Sequence, residues 1–276
     1  MNKLHLPLYN LKTTLLGGQS FSWDFEDGYF YGFTNTHAIK LKQAGDTLYW
    51  QTYPEKDDIE FLKSYLRLET NYLMILKRIN KDKYIKTAIN KFSGLRLVKQ
   101  DFEQTLLSFL LSAVNNVPGI RKSVRLLSRR LGKKINVDGK EIYLFPTKEA
   151  IANAPLDMLL ECRIGFRAKY LKLAAQHLLQ TGISQKIQNF KENEARKTLK
   201  AIYGVGNKIA DCVLTYSLGF DNIAPLDRWG WRIATKLYGL NPKAKYDEIR
   251  MWFADYFEGY ASWAMQFLFE YIRAEK

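Results

Sequence analysis

The chain has 276 residues, 47% of them apolar, enough for one large core or two moderate ones. Forty-two Lys and Arg against 28 Asp and Glu leave a formal charge of +14, which favours a polyanionic partner. Two cysteines, Cys162 and Cys212, are too few for a four-cysteine iron–sulfur cluster, a Cys-rich zinc site or a disulfide framework.

His5, His37 and His177 show no ligand spacing and read as scattered structural residues. The opening Met1-Asn2-Lys3-Leu4-His5 lacks the apolar core of a signal peptide, and no apolar run approaches transmembrane length. The expectation is an intracellular monomer with no membrane partner. Residues 1–95 predict a β-rich unit followed by helices. The segments 21–25, 29–33, 38–42 and 47–53 are short, aromatic and partly alternating. Turn chemistry at Asp27-Gly28 and Ala44-Gly45-Asp46 separates them, so an antiparallel meander is expected. A helical period takes over through Ile59, Leu62, Tyr65 and Leu66, and a further helix is expected over about 71–90.

Residues 96–276 read as an all-helical body, which makes the fold class α+β. An apolar helix starts at Asp101 and is interrupted by Val114-Asn115-Asn116-Val117-Pro118-Gly119. A basic amphipathic helix follows over 120–131, then short strand-like and turn-like pieces over 132–145. Thr147 and Pro155 start two more helices, and Gly165 turns the chain into another over 167–180. Residues 183–198 read as a polar connector, and a single last helix is expected over about 247–274.

The densest signal lies between. Gly204-Val205-Gly206 separates two helical patterns, and its glycines permit a tight turn and a close backbone approach. The amides beyond it open a helix at Asn207, a ready site for a phosphate oxygen. Lys208 lies in the first turn and Cys212 one turn later on the same face. Ile209, Ala210, Val213, Leu214 and Leu218 supply the buried side, and Gly219 a C-cap. Pro225 breaks the chain, and Asp227 is placed as the N-cap of the next helix. A lysine and an aspartate thus stand at two helix beginnings around one loop.

The run from Gly204 to Cys212, with Pro225-Leu226-Asp227 beyond it, resembles the helix-hairpin-helix DNA glycosylases, and among them the 8-oxoguanine branch. The string Gly17-Gly18-Gln19-Ser20-Phe21-Ser22-Trp23 resembles the same branch. The resemblance implies a bifunctional glycosylase and AP lyase that excises 8-oxoguanine from duplex DNA and then nicks the strand. It implies Lys208 as the nucleophile on the sugar C1′, forming a Schiff base that permits β-elimination, with Asp227 stabilising charge on the sugar. It places the Gly18 carbonyl on the N7 hydrogen that only the oxidised base carries. Cys212 and Phe269 would line the base pocket, with Met265 where relatives carry a glutamine. Gly204, Val205, Gly206 and Pro225 would lie on the DNA backbone. A monovalent Na⁺ or K⁺ would sit on the carbonyls of Ile202 and Val205, and no cofactor would be required. Phe166 would wedge into the duplex and Arg167 would reach the estranged base. Asn115 and Asn116 match the second and third of three asparagines that fill the gap left by the base. Val114 replaces the first, and Gly119 stands where relatives carry an arginine, so a relaxed opposite-base preference is expected.

Other readings stay open on the residues alone. Asp227 could serve only as an N-cap, Lys208 only as a phosphate contact, and Phe166 or Met265 only as packing. The corresponding rivals are a glycosylase of this fold for other damaged purines and a non-catalytic DNA-binding module. The expected compartment is the cytoplasm or nucleoid of a prokaryote, or a nucleus.

Overall fold

A computed structural model describes residues 1–275. Five antiparallel strands, β1 (Asn2–His5), β2 (Trp23–Glu26), β3 (Tyr29–Phe33), β4 (Ala38–Ala44) and β5 (Thr47–Tyr53), form one sheet in the order β1-β5-β4-β3-β2. Alternation decides its faces. Phe30, Ile39, Leu41, Leu48 and Trp50 turn inward onto Leu11 and Leu15 of helix α1 (Leu11–Leu16) and Leu62 and Tyr65 of α2 (Ile59–Leu66). Gly32 lies under Trp23, where a Cβ would come within 2.6 Å of the indole, and the indole N–H donates to Tyr65 Oη at 2.8 Å. The outer face pairs lysines with tyrosines; Lys40 Nζ lies 4.5 Å from the Tyr29 ring centroid. The meander is as expected, but β1 and α1 were not read from the sequence. Strand β1 is four residues long, too short for its alternation to stand out.

The expected helix over 71–90 is two helices, α3 (Tyr72–Ile79) and α4 (Lys83–Lys91). Asp82 starts the second by accepting from Tyr84 N and Ile85 N. The body continues with α5 (Phe102–Leu110), α6 (Val117–Leu131), a hairpin of β6 (Lys134–Val137) and β7 (Lys140–Tyr143), α7 (Lys148–Asn153), α8 (Leu156–Glu161) and α9 (Arg167–Thr181). The supposed connector over 183–198 holds most of a helix, α10 (Glu192–Lys200), which buries only Ala195 and Leu199 and is otherwise polar, so its period is faint. Helices α11 (Asn207–Val213) and α12 (Arg228–Arg232) each run on into a wider π turn, through Leu218 and Leu237 respectively. The single last helix expected over 247–274 is broken into α13 (Tyr246–Tyr256) and α14 (Ala261–Ala274) at Gly259, whose φ is +83°.

Helix α5 is the axis of the body. Leu106, Leu107, Phe109 and Leu110 are buried in one cluster with Leu171 of α9 and Ala210 and Val213 of α11. Helix α14 packs on α3 and α4 through Trp263, Phe267 and Leu268. Gln19 fastens the sheet unit to the body. It is fully buried, donates to Thr14 O and Arg96 O, and accepts from Val98 N. These bonds fix the Gly17-Gly18 turn against the helices.

Candidate active site

A cavity of about 960 Å³ opens where the end of α5, the loop after it, the starts of α11 and α12, the Gly18 turn and α14 converge. Its size suits a nucleobase with its sugar. The sequence assigned Lys208, Asp227, Gly18, Cys212, Met265, Phe269, Asn115, Asn116, Gly206 and Pro225 to the site, and all ten line this cavity. Ile202, Gly204, Val205, Phe166 and Arg167 lie outside its lining.

The hairpin explains the placing of Lys208. Gly204 has φ +87°, and a Cβ there would come within 3.0 Å of the Tyr170 ring on α9. Glycine is therefore needed both for the turn and for the contact. Gly206 caps α11 in extended backbone with open space around it. Lys208 then projects from the first turn, and its Nζ donates to Ser112 Oγ at 2.9 Å. The Ser112 hydroxyl in turn donates to Phe109 O at 2.6 Å, so its lone pairs face the amine. Nζ also lies 5.0 Å from the Phe109 ring centroid. Ser112 was not among the residues read from the sequence, because its partner lies 96 positions away.

Asp227 caps α12 as expected, accepting from Trp229 N at 2.8 Å and Gly230 N at 2.9 Å. Both bonds fall on Oδ1, which leaves Oδ2 for a second partner. A buried relay sets the Asp227 loop against α11. Leu226 N donates to Tyr246 Oη at 3.0 Å, and the Tyr246 hydroxyl donates to Asp211 Oδ2 at 2.9 Å. Asp211 is on α11, three residues beyond Lys208, fully buried and paired with Arg196 at 2.9 Å and Arg250 at 3.5 Å. Burial pushes its carboxyl upward, while the two guanidiniums and the tyrosine hold it down. Asp211 belongs to the same motif as Lys208, yet its role needed Tyr246 to be visible.

Cys212 lines the cavity together with the two candidate groups. Burial pushes its thiol up to about 12; the charge of Lys208 lowers it and that of Asp227 raises it. A thiol pushed that far up stays protonated at neutral pH, which makes it a poor nucleophile.

Another wall carries the residues assigned to the base pocket. Gly18 has φ +87°, and a Cβ there would meet Val117 Cγ2 at 3.2 Å and the Phe269 ring at 3.4 Å. Phe269 is held edge-to-face with Trp229, centroids 6.5 Å apart. Met265 and its neighbour Gln266 both line the wall. The Gln266 amide is engaged, accepting from Tyr216 Oη at 2.9 Å and donating to Gly17 O at 3.3 Å. Beneath Gly17 lies Glu270, whose Oε1 is 3.2 Å from Arg273 Nη1. Burial pushes the Glu270 carboxyl up to about 7 against the pull of Arg273 and Arg121.

The loop after α5 is held by bonds of its own. Asn115 donates to Leu111 O and accepts from Asn116 N, and Asn116 caps α6 by accepting from Gly119 N. Arg167 is buried and bonded to three carbonyls, while Phe166 is exposed.

Residues 3–106 match the family described as 8-oxoguanine DNA glycosylase, N-terminal domain, and residues 107–258 match the HhH-GPD superfamily base excision DNA repair proteins. The chain belongs to the HhH-GPD superfamily of base excision DNA repair proteins. Its likeness to the 8-oxoguanine enzymes runs along nearly the whole chain. A solved structure of MBOgg1 with a low-affinity DNA ligand is 32% identical, covers 99% of this chain and 95% of its own, and gives a TM-score of 0.92. The Clostridium acetobutylicum 8-oxoguanine glycosylase/lyase, solved with duplex DNA containing cytosine opposite 8-oxoguanine, is 29% identical over 97% and 92% of the two chains, with a TM-score of 0.89. The Saccharomyces cerevisiae N-glycosylase/DNA lyase is 27% identical over 98% of this chain and 84% of its own. No helix among the described residues is long and apolar enough to cross a membrane.

Proposed function

We infer that the protein is a bifunctional DNA glycosylase and AP lyase that removes 8-oxoguanine from duplex DNA. The observation that carries this reading is one cavity lined by Lys208, Asp227 and the Gly18 turn together. A base inside a duplex cannot be reached, so the nucleotide leaves the stack and enters the cavity. The Gly18 carbonyl accepts the N7 hydrogen of the oxidised base and repels the N7 lone pair of guanine. The bond from sugar C1′ to N9 breaks, the electron pair leaves with the base, and the Asp227 carboxylate stabilises the positive charge left on the sugar. The neutral Lys208 amine bonds to C1′, and ring opening gives a protonated Schiff base. Loss of a C2′ proton then expels the 3′ phosphate by β-elimination. Ser112, fixed by Phe109 O, holds the amine before attack. Cys212, Met265 and Phe269 supply the apolar surround of the base.

The lysine argues against a glycosylase that uses only an aspartate and water. The hairpin amides around Gly204 to Gly206 hold a DNA phosphate. The Ile202 carbonyl accepts from Val205 N and keeps a second lone pair, which suits a monovalent cation there. No cofactor is required. Gly119 offers no side chain and Val114 no polar atom to a partner base, which favours a relaxed opposite-base preference. The protein acts as a monomer, inside the cell with its DNA substrate.

The test is incubation with an 8-oxoguanine duplex under borohydride. Wild type releases the base, nicks the strand and is trapped as a covalent adduct; Lys208→Gln loses nicking and trapping. Full activity in Lys208→Gln would refute the assignment.

A further inference from the structure

The two asparagines of the loop between α5 and α6 turn their side chains back onto it. Asn115 is bonded to Leu111 O and Asn116 N, and Asn116 to Gly119 N. Arg167, the first residue of α9, reaches this loop from outside. Its Nε donates to Ala113 O at 2.5 Å, Nη2 to Val114 O at 2.8 Å and Nη1 to Ile164 O at 3.1 Å. Three of its five N–H bonds thus go to backbone carbonyls on two segments, and the residue is only 9% exposed.

What this assembly presents outward is apolar. Val114 is 92% exposed, lines the cavity and has φ +50°, a region that a β-branched residue enters only under strain. The Arg167 bond to its carbonyl holds it there. The same guanidinium lies beside Phe166, 56% exposed, with the Arg167 Cζ 4.6 Å from its ring centroid. One buried cation carries two exposed apolar side chains beside the cavity.

We propose that Arg167 is a strut, not a reader: it fixes Val114 and Phe166 as a single apolar pair against the strand opposite the extruded nucleotide. The pair recognises that strand by shape and stacking and makes no hydrogen bond to the partner base. The proposal rests on the glycosylase reading and adds to it the residues that leave the partner base undiscriminated. An isopropyl group has neither donor nor acceptor with which to tell cytosine from the other three bases. A guanidinium spent on three carbonyls is poorly placed to supply one.

Affinity for duplexes carrying a stable abasic analogue opposite each of the four bases reads this pair without base excision, so its outcome is separate from that of the glycosylase reading. Arg167→Gln is expected to weaken binding about tenfold for all four partners alike. Arg167→Lys is expected to do no better, because a lysine keeps the charge but cannot span three carbonyls. Val114→Gly guards against a misfolded Arg167 variant. Glycine takes the left-handed backbone freely, so this variant is expected to melt higher than wild type and still bind all four duplexes more weakly. A loss confined to one partner base in Arg167→Gln, recovery in Arg167→Lys, or wild-type affinity in Val114→Gly would overturn the proposal.

Discussion

On the proposed reading, Asp227 does two jobs with one carboxyl, and the two can be separated. Its Oδ1 caps α12, which an asparagine can do as well; charge on the sugar needs the anion. Asp227→Asn is therefore expected to melt within a few degrees of wild type while excision slows by about 10²-fold. Single-turnover excision alongside a thermal melt checks this, and undiminished excision would remove the carboxylate from the chemistry. Ser112→Ala leaves Lys208 Nζ without its only hydrogen-bond acceptor among the described side chains other than Cys212. Trapped adduct should form roughly tenfold more slowly, and Ser112→Thr, which restores a hydroxyl, should recover most of the rate. At this scale the sequence was informative where residues sit close along the chain. Lys208 and Cys212 share a helix face, and Asp227 follows a proline. Ser112 was illegible because nothing local says which of many serines will face an amine contributed by another helix.

Elements hold these residues in register. The relay Asp211–Tyr246–Leu226 N joins α11, α13 and the Asp227 loop through one hydroxyl. Tyr246→Phe removes that hydroxyl, orphans Leu226 N and one Asp211 bond, and is expected to cost about 1–3 kcal/mol in denaturant unfolding. Excision should also slow, as Asp227 loses its fixed distance from α11. A variant as stable and as active as wild type would show that the relay is not needed.

Glu270 on α14 gives a pH signature. Its folded carboxyl titrates at about 7, above the ordinary 4.5, so the folded state holds the proton more tightly than the unfolded chain. Stability from this group is full below pH 4.5 and is lost as pH rises through 7. Glu270→Gln, which cannot ionise, should match wild type near pH 4.5 and exceed it above pH 7 by at most about 3 kcal/mol. Equal differences at both pH values would contradict the assignment. Most elements were legible from period and caps. The breaks at Asp82 and Gly259 were passed over because apolar periodicity continues on both sides of each.

The whole molecule brings together ends of the chain that no local reading connects. Gln266, which lines the cavity, donates through Nε2 to Gly17 O, 249 residues away. The β-rich front and helical body were visible as a change of hydrophobic period, and the hairpin was visible as glycine spacing. Their closure around one cavity was not, because Gln19, buried in the sheet unit, reaches Arg96 and Val98 through bonds that leave no trace in composition. At this scale the charge of +14 also acts. Affinity for undamaged duplex is expected to fall more than tenfold between about 50 and 200 mM salt, and a flat log–log plot would separate the charge from DNA binding.

The most direct measurement is mass-spectrometric mapping of the borohydride-trapped adduct formed with an 8-oxoguanine duplex. The DNA remnant is predicted on Lys208 and on no other of the chain's lysines. A remnant on another lysine, or base release and nicking with no trapped adduct at all, would contradict the amine's role at the heart of the site.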